Sequence, residues 1–317
     1  MCKISEHAYN VLTAKSYKGV GRGWIVKNIR PEMSVTDIVS RLNLRPKAEP
    51  TCVVDFERIK AGVRDKIARH ASTMTGITAL GDVDFPYVRG EVKDSEQPVV
   101  LYYKGRLDLL SKDNRNISVI GLLTPSADIE NDERLVVSDL VDEGYTIVSG
   151  LALGCDSVAH RMTLEKRGNT VAILPSPIRN IIPAKNVDLA EEIYNAGGLL
   201  ISEYLDEATS KMELTGRYQE RDRLQALFSD GIVLSASYAP NDKGLDSGSR
   251  LAMGYAKNYR IPRYVMYDEQ RNHDNPMFDL SRLLMQDSDV ISVQKHTITQ
   301  KLHFTPVHRP AQQMTLF

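Results

Sequence analysis

The stretch from Ile117 to His160 constrains the fold more than any other. It opens with the apolar run Ile117-Ser-Val-Ile-Gly121, which is short, β-branched and stopped by glycine, as a buried parallel strand reads. A helix-length segment from Ala127 to Glu143 follows, and Gly144 ends it in the manner of a C-cap glycine. A second strand, Tyr145–Val148, runs into Ser149-Gly-Leu-Ala-Leu-Gly154 and a further helix with Asp156 and His160. Strand, glycine-rich turn and helix, repeated, make the βαβ unit of a doubly wound sheet. Turns after such strands bring backbone N–H groups and helix N-termini to one edge, which suits an anion. The pattern is not specific. No GxGxxG follows Gly121, no Walker A sequence occurs, and small residues after a strand serve tight packing as readily as phosphate.

Further apolar runs at Thr170–Leu174, Leu199–Ser202, Ile232–Ser235, Arg263–Tyr267 and Asp289–Ser292 extend this to a sheet of about seven strands. Helices are expected between them at Val187–Ala196, Glu220–Phe228, Ser249–Asn258 and Met277–Met285. Upstream, residues 1–75 read as a helical module. Its turn Ser16–Ile25, punctuated by Gly19, Gly21 and Gly23, reads as a helix-helix connector or as a helix-hairpin-helix turn facing a DNA phosphate. Ser34 and Asp37 suit a helix start, and Asp55–Ala71 places Phe56, Ile59, Val63 and Ile67 on one face. Strands at Gly76–Leu80 and Pro98–Tyr103 precede the main sheet. The expected organisation is a helical module at 1–75, a Rossmann-like α/β domain with an N-terminal strand extension at 76–293, and a polar tail at 294–317.

Charge narrows the function less than the pattern does. Lys and Arg number 40 against 41 Asp and Glu, so a nucleic-acid surface must be a local basic patch. The three cysteines are far apart and form no CxxC, which argues against zinc and fits a reducing cytoplasm. No apolar run approaches ~18 residues, so neither a membrane span nor a signal peptide is expected.

Several ordered blocks resemble one family. Val148-Ser-Gly-Leu-Ala-Leu-Gly-Cys-Asp156 with Ala159-His160 is similar to the SGLARGID…AH block of the DNA-processing protein A family (DprA, also called Smf). Leu200-Ile-Ser-Glu-Tyr204 resembles its liSEyp block, and Arg221-Asp-Arg223 stands where the family has Arg-Asn-Arg. Ser247-Gly-Ser249 with Ala252 and Ala256 resembles its SGSLxTAxxA stretch. Gly76-Ile-Thr, Asp84-Phe-Pro86 and Pro98–Gly105 resemble the approach to the domain. The resemblance spans about residues 10 to 293 in order. It implies an extended Rossmann-like fold that binds and protects single-stranded DNA and loads a RecA-type recombinase, notably in natural transformation. It also implies homodimers or larger oligomers, no catalysis and no cofactor.

On that reading, phosphates are expected at the amides and hydroxyls of Gly121, Thr124, Ser149, Gly150, Ser247, Gly248 and Ser249. Lys185, Arg221, Arg223, Lys243 and Arg250 would form the basic edge. Tyr204, Tyr218 and Tyr238 are candidates for base stacking or for half-buried core. The chain also departs from the family. Leu123 stands where an arginine follows the first strand, Leu153 replaces the arginine of the SGLA block, and Asp222 replaces the asparagine between the arginines. Arg250 follows the SGS block where an apolar residue is usual.

Asp156 and His160 share a helix face, but no nucleophile or metal set accompanies them. They read as a helix cap and a packed histidine. The end of the chain, Gln313-Met-Thr-Leu-Phe317, resembles the bacterial sliding-clamp binding pentapeptide, with Gln313 as hydrogen-bonding anchor and Met314, Leu316 and Phe317 as apolar contacts. Two other functions compete with the recombination mediator. One is a nucleotide-binding sensor related to the LOG enzymes, whose PGGxGTxxE glutamate has no counterpart in Gly244–Arg250. The other is a scaffold docked on the clamp with reduced DNA binding.

Overall fold

A computed structural model of the chain describes residues 2–46, 48–240 and 248–302. Its centre is one nine-stranded sheet: β1 (Gly76–Ala79), β2 (Val100–Gly105), β3 (Asn116–Ile120), β4 (Thr146–Ser149), β5 (Thr170–Leu174), β6 (Leu199–Ser202), β7 (Gly231–Leu234), β8 (Arg263–Val265) and β9 (Val290–Ser292). The order is β1-β2-β6-β5-β4-β3-β7-β8-β9. The seven strands read from the apolar runs are parallel throughout. The two upstream strands join the same sheet antiparallel, β2 against β6 with Tyr103 opposite Ile201. The expected seven-stranded sheet therefore becomes nine, because β6 would otherwise expose an apolar edge.

The βαβ core forms as its residues dictate. All five residues of β3 are buried. Helix α5 (Ala127–Asp142) starts at Ser126, whose hydroxyl accepts from the Ile129 amide, and carries Asp128 and Glu130 in its first turn. Those acids favour the positive end of the helix. Its stripe Ile129, Val136, Val137 and Leu140 is buried, and Gly144 at φ 79° turns the chain out. Helix α6 (Cys155–Glu165) follows β4.

Alternation along the strands separates two apolar layers. Ile117, Val119 and Ile147 pack against α5 and α6. Ala172, Leu200 and Tyr102 pack with α7 (Val187–Asn195) and with the N-terminal helices α1 (Glu6–Lys15), α2 (Arg22–Asn28), α3 (Val35–Asn43) and α4 (Val53–Ala68). Val148, Val171, Ile201 and Leu101 face the other way, onto α8 (Lys211–Leu227) and α9 (Ser249–Asn258). Helix α8 begins nine residues before its expected start at Glu220, capped by Ser210, whose hydroxyl accepts from the Glu213 amide. Helices α10 (Glu269–Asn272), α11 (Asp279–Leu284) and α12 (Ile298–Lys301) complete the described residues.

Strands β3 to β6 are laid down in one direction and β7 to β9 in the other, so the winding reverses between β3 and β7. The crevice outside the carboxyl ends of strands at such a reversal is where open α/β sheets take ligands. No described helix is long and apolar enough to cross a membrane.

Candidate nucleic-acid interface

Three turns meet at the carboxyl ends of β3, β4 and β7. The turn after β4 approaches its neighbours very closely. A Cβ on Gly150 would sit 1.2 Å from Arg221 Nη1, so only glycine admits the arginine. Gly154 has φ 72°, and a Cβ there would lie 2.2 Å from the Leu122 carbonyl oxygen. The Cys155 amide donates to that carbonyl at 3.0 Å, locking the β3 turn onto the start of α6. From α9, Ser249 Oγ donates to the Gly121 carbonyl at 3.2 Å. Gly121, Gly150, Arg221 and Ser249 are thus brought together as the sequence implied.

The polar groups of this cluster bond to one another. Ser149 Oγ donates to the Val119 carbonyl at 2.7 Å and so faces the sheet. The amides of Gly150 and Ala152 donate to Asp156 Oδ2 at 3.1 and 3.2 Å. Arg221 Nη1 donates to the same oxygen at 3.2 Å, and its Nε lies 3.3 Å from Asp222 Oδ1. A carboxylate of the chain therefore fills the amide nest that sequence reasoning offered to phosphate. Gly154, not Asp156, is the N-cap of α6, so Asp156 closes the preceding turn instead of capping the helix.

Arg221 is 8% exposed and Arg223 1%, so both expected members of the basic edge are buried, and both lie in the second half of α8 instead of at the helix start expected at Glu220. Two residues apart, they face different partners. Arg223 Nη2 donates to Glu203 Oε2 at 2.6 Å, its Nε lies 3.2 Å from Glu220 Oε2, and its Nη1 donates to the Glu96 carbonyl. Arg22 of α2 reaches Glu203 at 3.1 Å and Glu220 at 2.7 Å. This network ties the N-terminal helices to the sheet and gives the Ile-Ser-Glu-Tyr block a structural use.

Lys185 is exposed. Its neighbour Asn186 is buried and donates through Nδ2 to the carbonyls of Leu151 and Ala152 at 2.8 and 3.1 Å, which places Lys185 beside the β4 turn. Thr124 is exposed beyond Leu123, and Arg250 is exposed in the first turn of α9. Gly248 is exposed and lies against the Asp222 carboxylate. Tyr204 and Tyr218 are half-buried, under the guanidinium groups of Arg217 at 4.1 Å and Arg221 at 5.6 Å. Tyr238 is half-buried against the α8–α9 layer. Lys243, Ser247, Gln313, Met314, Leu316 and Phe317 lie outside the described residues.

His160 is fully buried, with Nδ1 2.7 Å from Thr170 Oγ1. Burial, reinforced by Arg221, lowers its pKa to about 3, so the ring is neutral. One buried group escaped the sequence reading. Glu133 of α5 is fully enclosed beside Cys155 and Ser235, its two oxygens without a hydrogen-bond partner. Burial pushes its pKa well up, favouring the protonated form. The signal was present: Glu133 falls on the stripe of Ile129, Val136, Val137 and Leu140. No group of His, Cys, Asp and Glu suited to a metal occurs among the described residues.

The chain is similar to several bacterial proteins. The chain is 36% identical to protein Smf of Synechocystis over 155 residues, covering 48% of this chain and 37% of that protein. The matched region thus spans little more than a third of that relative. A solved structure of DNA processing protein A from Streptococcus pneumoniae superposes with TM-score 0.72 at 21% identity, covering 96% of this chain and 100% of that one, and so shares the fold. A Helicobacter pylori DNA processing protein A, described for its single-stranded DNA binding mode, gives TM-score 0.52 at 26% identity over 66% of this chain and 87% of that one. The model of the family described as DNA recombination-mediator protein A matches residues 76–301, the sheet from β1 to β9 with every turn of the cluster. The chain belongs to the DNA recombination-mediator protein A family.

Proposed function

We propose that the chain binds single-stranded DNA along the carboxyl edge of its sheet and passes the strand to a RecA-type recombinase without catalysing a reaction. The observation that carries this reading is the family match across the sheet and its turns, together with the single-stranded DNA binding named for the Helicobacter relative. The site supports the absence of catalysis. Asp156 is engaged by Arg221 and two amides, and His160 is enclosed and neutral, so neither presents acid-base chemistry to a ligand. Of the residues first assigned to phosphate, Thr124, Lys185, Gly248 and Arg250 stand exposed on this edge and are the proposed contacts, with Ser247 beside them in sequence. Gly121, Ser149, Gly150, Arg221 and Ser249 shape the turns behind them. We assign the protein to the cytoplasm, as a homodimer, with Gln313, Met314, Leu316 and Phe317 as contacts to a sliding clamp.

The test is fluorescence anisotropy of labelled oligo-dT of about 20 nucleotides at two salt concentrations, with duplex and mononucleotide competitors. Salt-sensitive binding that duplex does not compete is the expected outcome. Absence of binding at low salt refutes the reading, and competition by mononucleotide at equal affinity favours a nucleotide sensor. For the clamp, deletion of 313–317 should abolish pull-down by the purified clamp.

A further inference from the structure

On the edge just described, large apolar side chains reach solvent at the turns after β3 and β4 and at the start of α7, beside the exposed Thr124 and Lys185. Leu123 is 55% exposed, Leu153 37% and Val187 41%. Their loops are fastened together: the Leu123 carbonyl oxygen would lie 2.5 Å from a Cβ on Gly154, and Asn186, next to Val187, bonds to the carbonyls of Leu151 and Ala152. The polar groups behind them are already occupied. The amides of Gly150 and Ala152 hold Asp156, the hydroxyls of Ser149 and Ser249 hold carbonyls, and Arg221 holds two carboxylates. The flanking helix starts are acidic, with Asp128 and Glu130 in the first turn of α5 and Asp188 in that of α7. Lys185 is the exposed cation beside Val187.

A run of phosphates laid directly over Leu123, Leu153 and Val187 would meet aliphatic groups, with the acidic starts of α5 and α7 beside them. A single strand turned the other way meets complementary chemistry, since its unpaired bases offer apolar faces that a duplex conceals. We infer that Leu123, Leu153 and Val187 form an apolar platform for the bases of a single strand, with the backbone turned away from these three side chains toward the proposed contacts at Thr124, Lys185, Gly248 and Arg250. The inference rests on the proposed single-stranded DNA binding and specifies how that strand lies.

The test compares oligo-dT with an abasic tetrahydrofuran oligomer of the same length, for the wild type, the double variant Leu123→Ala/Leu153→Ala, and Leu123→Arg. All replaced side chains are exposed, and matched melting curves establish that the variants fold. The wild type should bind oligo-dT about tenfold more tightly than the abasic oligomer, as burial of apolar area against bases requires. The double variant should lose that preference while its affinity for the abasic oligomer stays the same. Leu123→Arg should tighten both oligomers alike and steepen the logarithmic salt slope by about 0.7, the increment for one added contact to a single strand. Equal wild-type affinity for both oligomers overturns the platform but leaves single-stranded binding intact, as does unchanged oligo-dT binding by the double variant. The latter result would hand the patch to an apolar protein surface. Binding of neither oligomer by the wild type at low salt overturns the platform and the DNA reading together.

Discussion

Replacing Asp222 with asparagine should stabilise the protein at pH 8 and leave it nearly unchanged at pH 4. Asp222 is buried on α8, with Oδ1 3.3 Å from Arg221 Nε and Oδ2 against Gly248 at the start of α9. Burial lifts its pKa from the ordinary 3.8 to about 7, with Arg221 opposing the shift and Asp156 adding to it. In the unfolded chain the group keeps its ordinary value. Between the two values the native protein holds a proton that the unfolded chain has released. Native proton occupancy exceeds unfolded occupancy, so stability falls as pH rises from about 4 to about 7 and is level above that. About three pH units at about 1.4 kcal/mol each set a ceiling near 4 kcal/mol. Asparagine keeps the shape without the charge, so the gain at pH 8 should be about 2–4 kcal/mol.

Urea unfolding of both proteins at pH 5, 6, 7 and 8 measures this as a difference, with the slope m held constant. The difference matters because other buried groups titrate too. Glu133, raised by burial, contributes with the same sign as Asp222. His160 contributes with the opposite sign: its folded pKa of about 3 lies below the unfolded 6.5, so its stability is lost progressively as pH falls from about 6.5 to about 3. Both cancel between variant and wild type. A stability difference that stays flat from pH 5 to pH 8, or an asparagine variant less stable at pH 8, refutes the reasoning.

Three further outcomes follow from the geometry. Arg223→Ala should cost about 3–5 kcal/mol in urea unfolding, because Glu203 then loses its 2.6 Å partner in an enclosed site; Arg22→Ala, at the more exposed end of the network, should cost about 1 kcal/mol. Gly150→Ala should lower stability by about 3 kcal/mol, since the new methyl displaces Arg221 from Asp156, and a melting temperature equal to the wild type would contradict the close approach. Cys52 is exposed and should react with an aromatic disulfide reagent in the native protein, whereas Cys155, buried and with its thiol pKa pushed well up, should react only after unfolding.

The sheet was legible because its strands are uninterrupted apolar runs and its helices have chemical ends. Ile117–Ile120 has one reading as a strand buried on both faces, and Gly144 terminates α5 with a positive φ that favours glycine. The start of α8 was not legible. Lys211 to Gln219 is polar around most of its surface, so no apolar period marks it, and the Ser210–Glu213 cap is the only local cue. That the upstream strands complete the same sheet depends on β2 finding β6 about a hundred residues away, a pairing that carries no local mark.

The same division separates the parts of the edge. The sequence identifies which residues gather there, because glycines and small residues mark the turns that must pack closely. It does not identify which of them face solvent, because that depends on partners remote in the chain. Arg221 and Arg223 look equivalent in the motif, yet one is held by Asp156 on α6 and the other by Glu203 after β6 and, through it, by Arg22 on α2. A buried arginine paired with Asp156 is a fixed part of the wall, since extracting it leaves that enclosed carboxylate without its cation. Leucine at 123 and 153 has no such internal obligation. Each sits on a turn whose backbone is held by others and whose side chain reaches solvent, so substitution there is cheap for the fold. Substitution at these exposed positions can therefore change the surface that this edge offers without disturbing the turns that hold the fold.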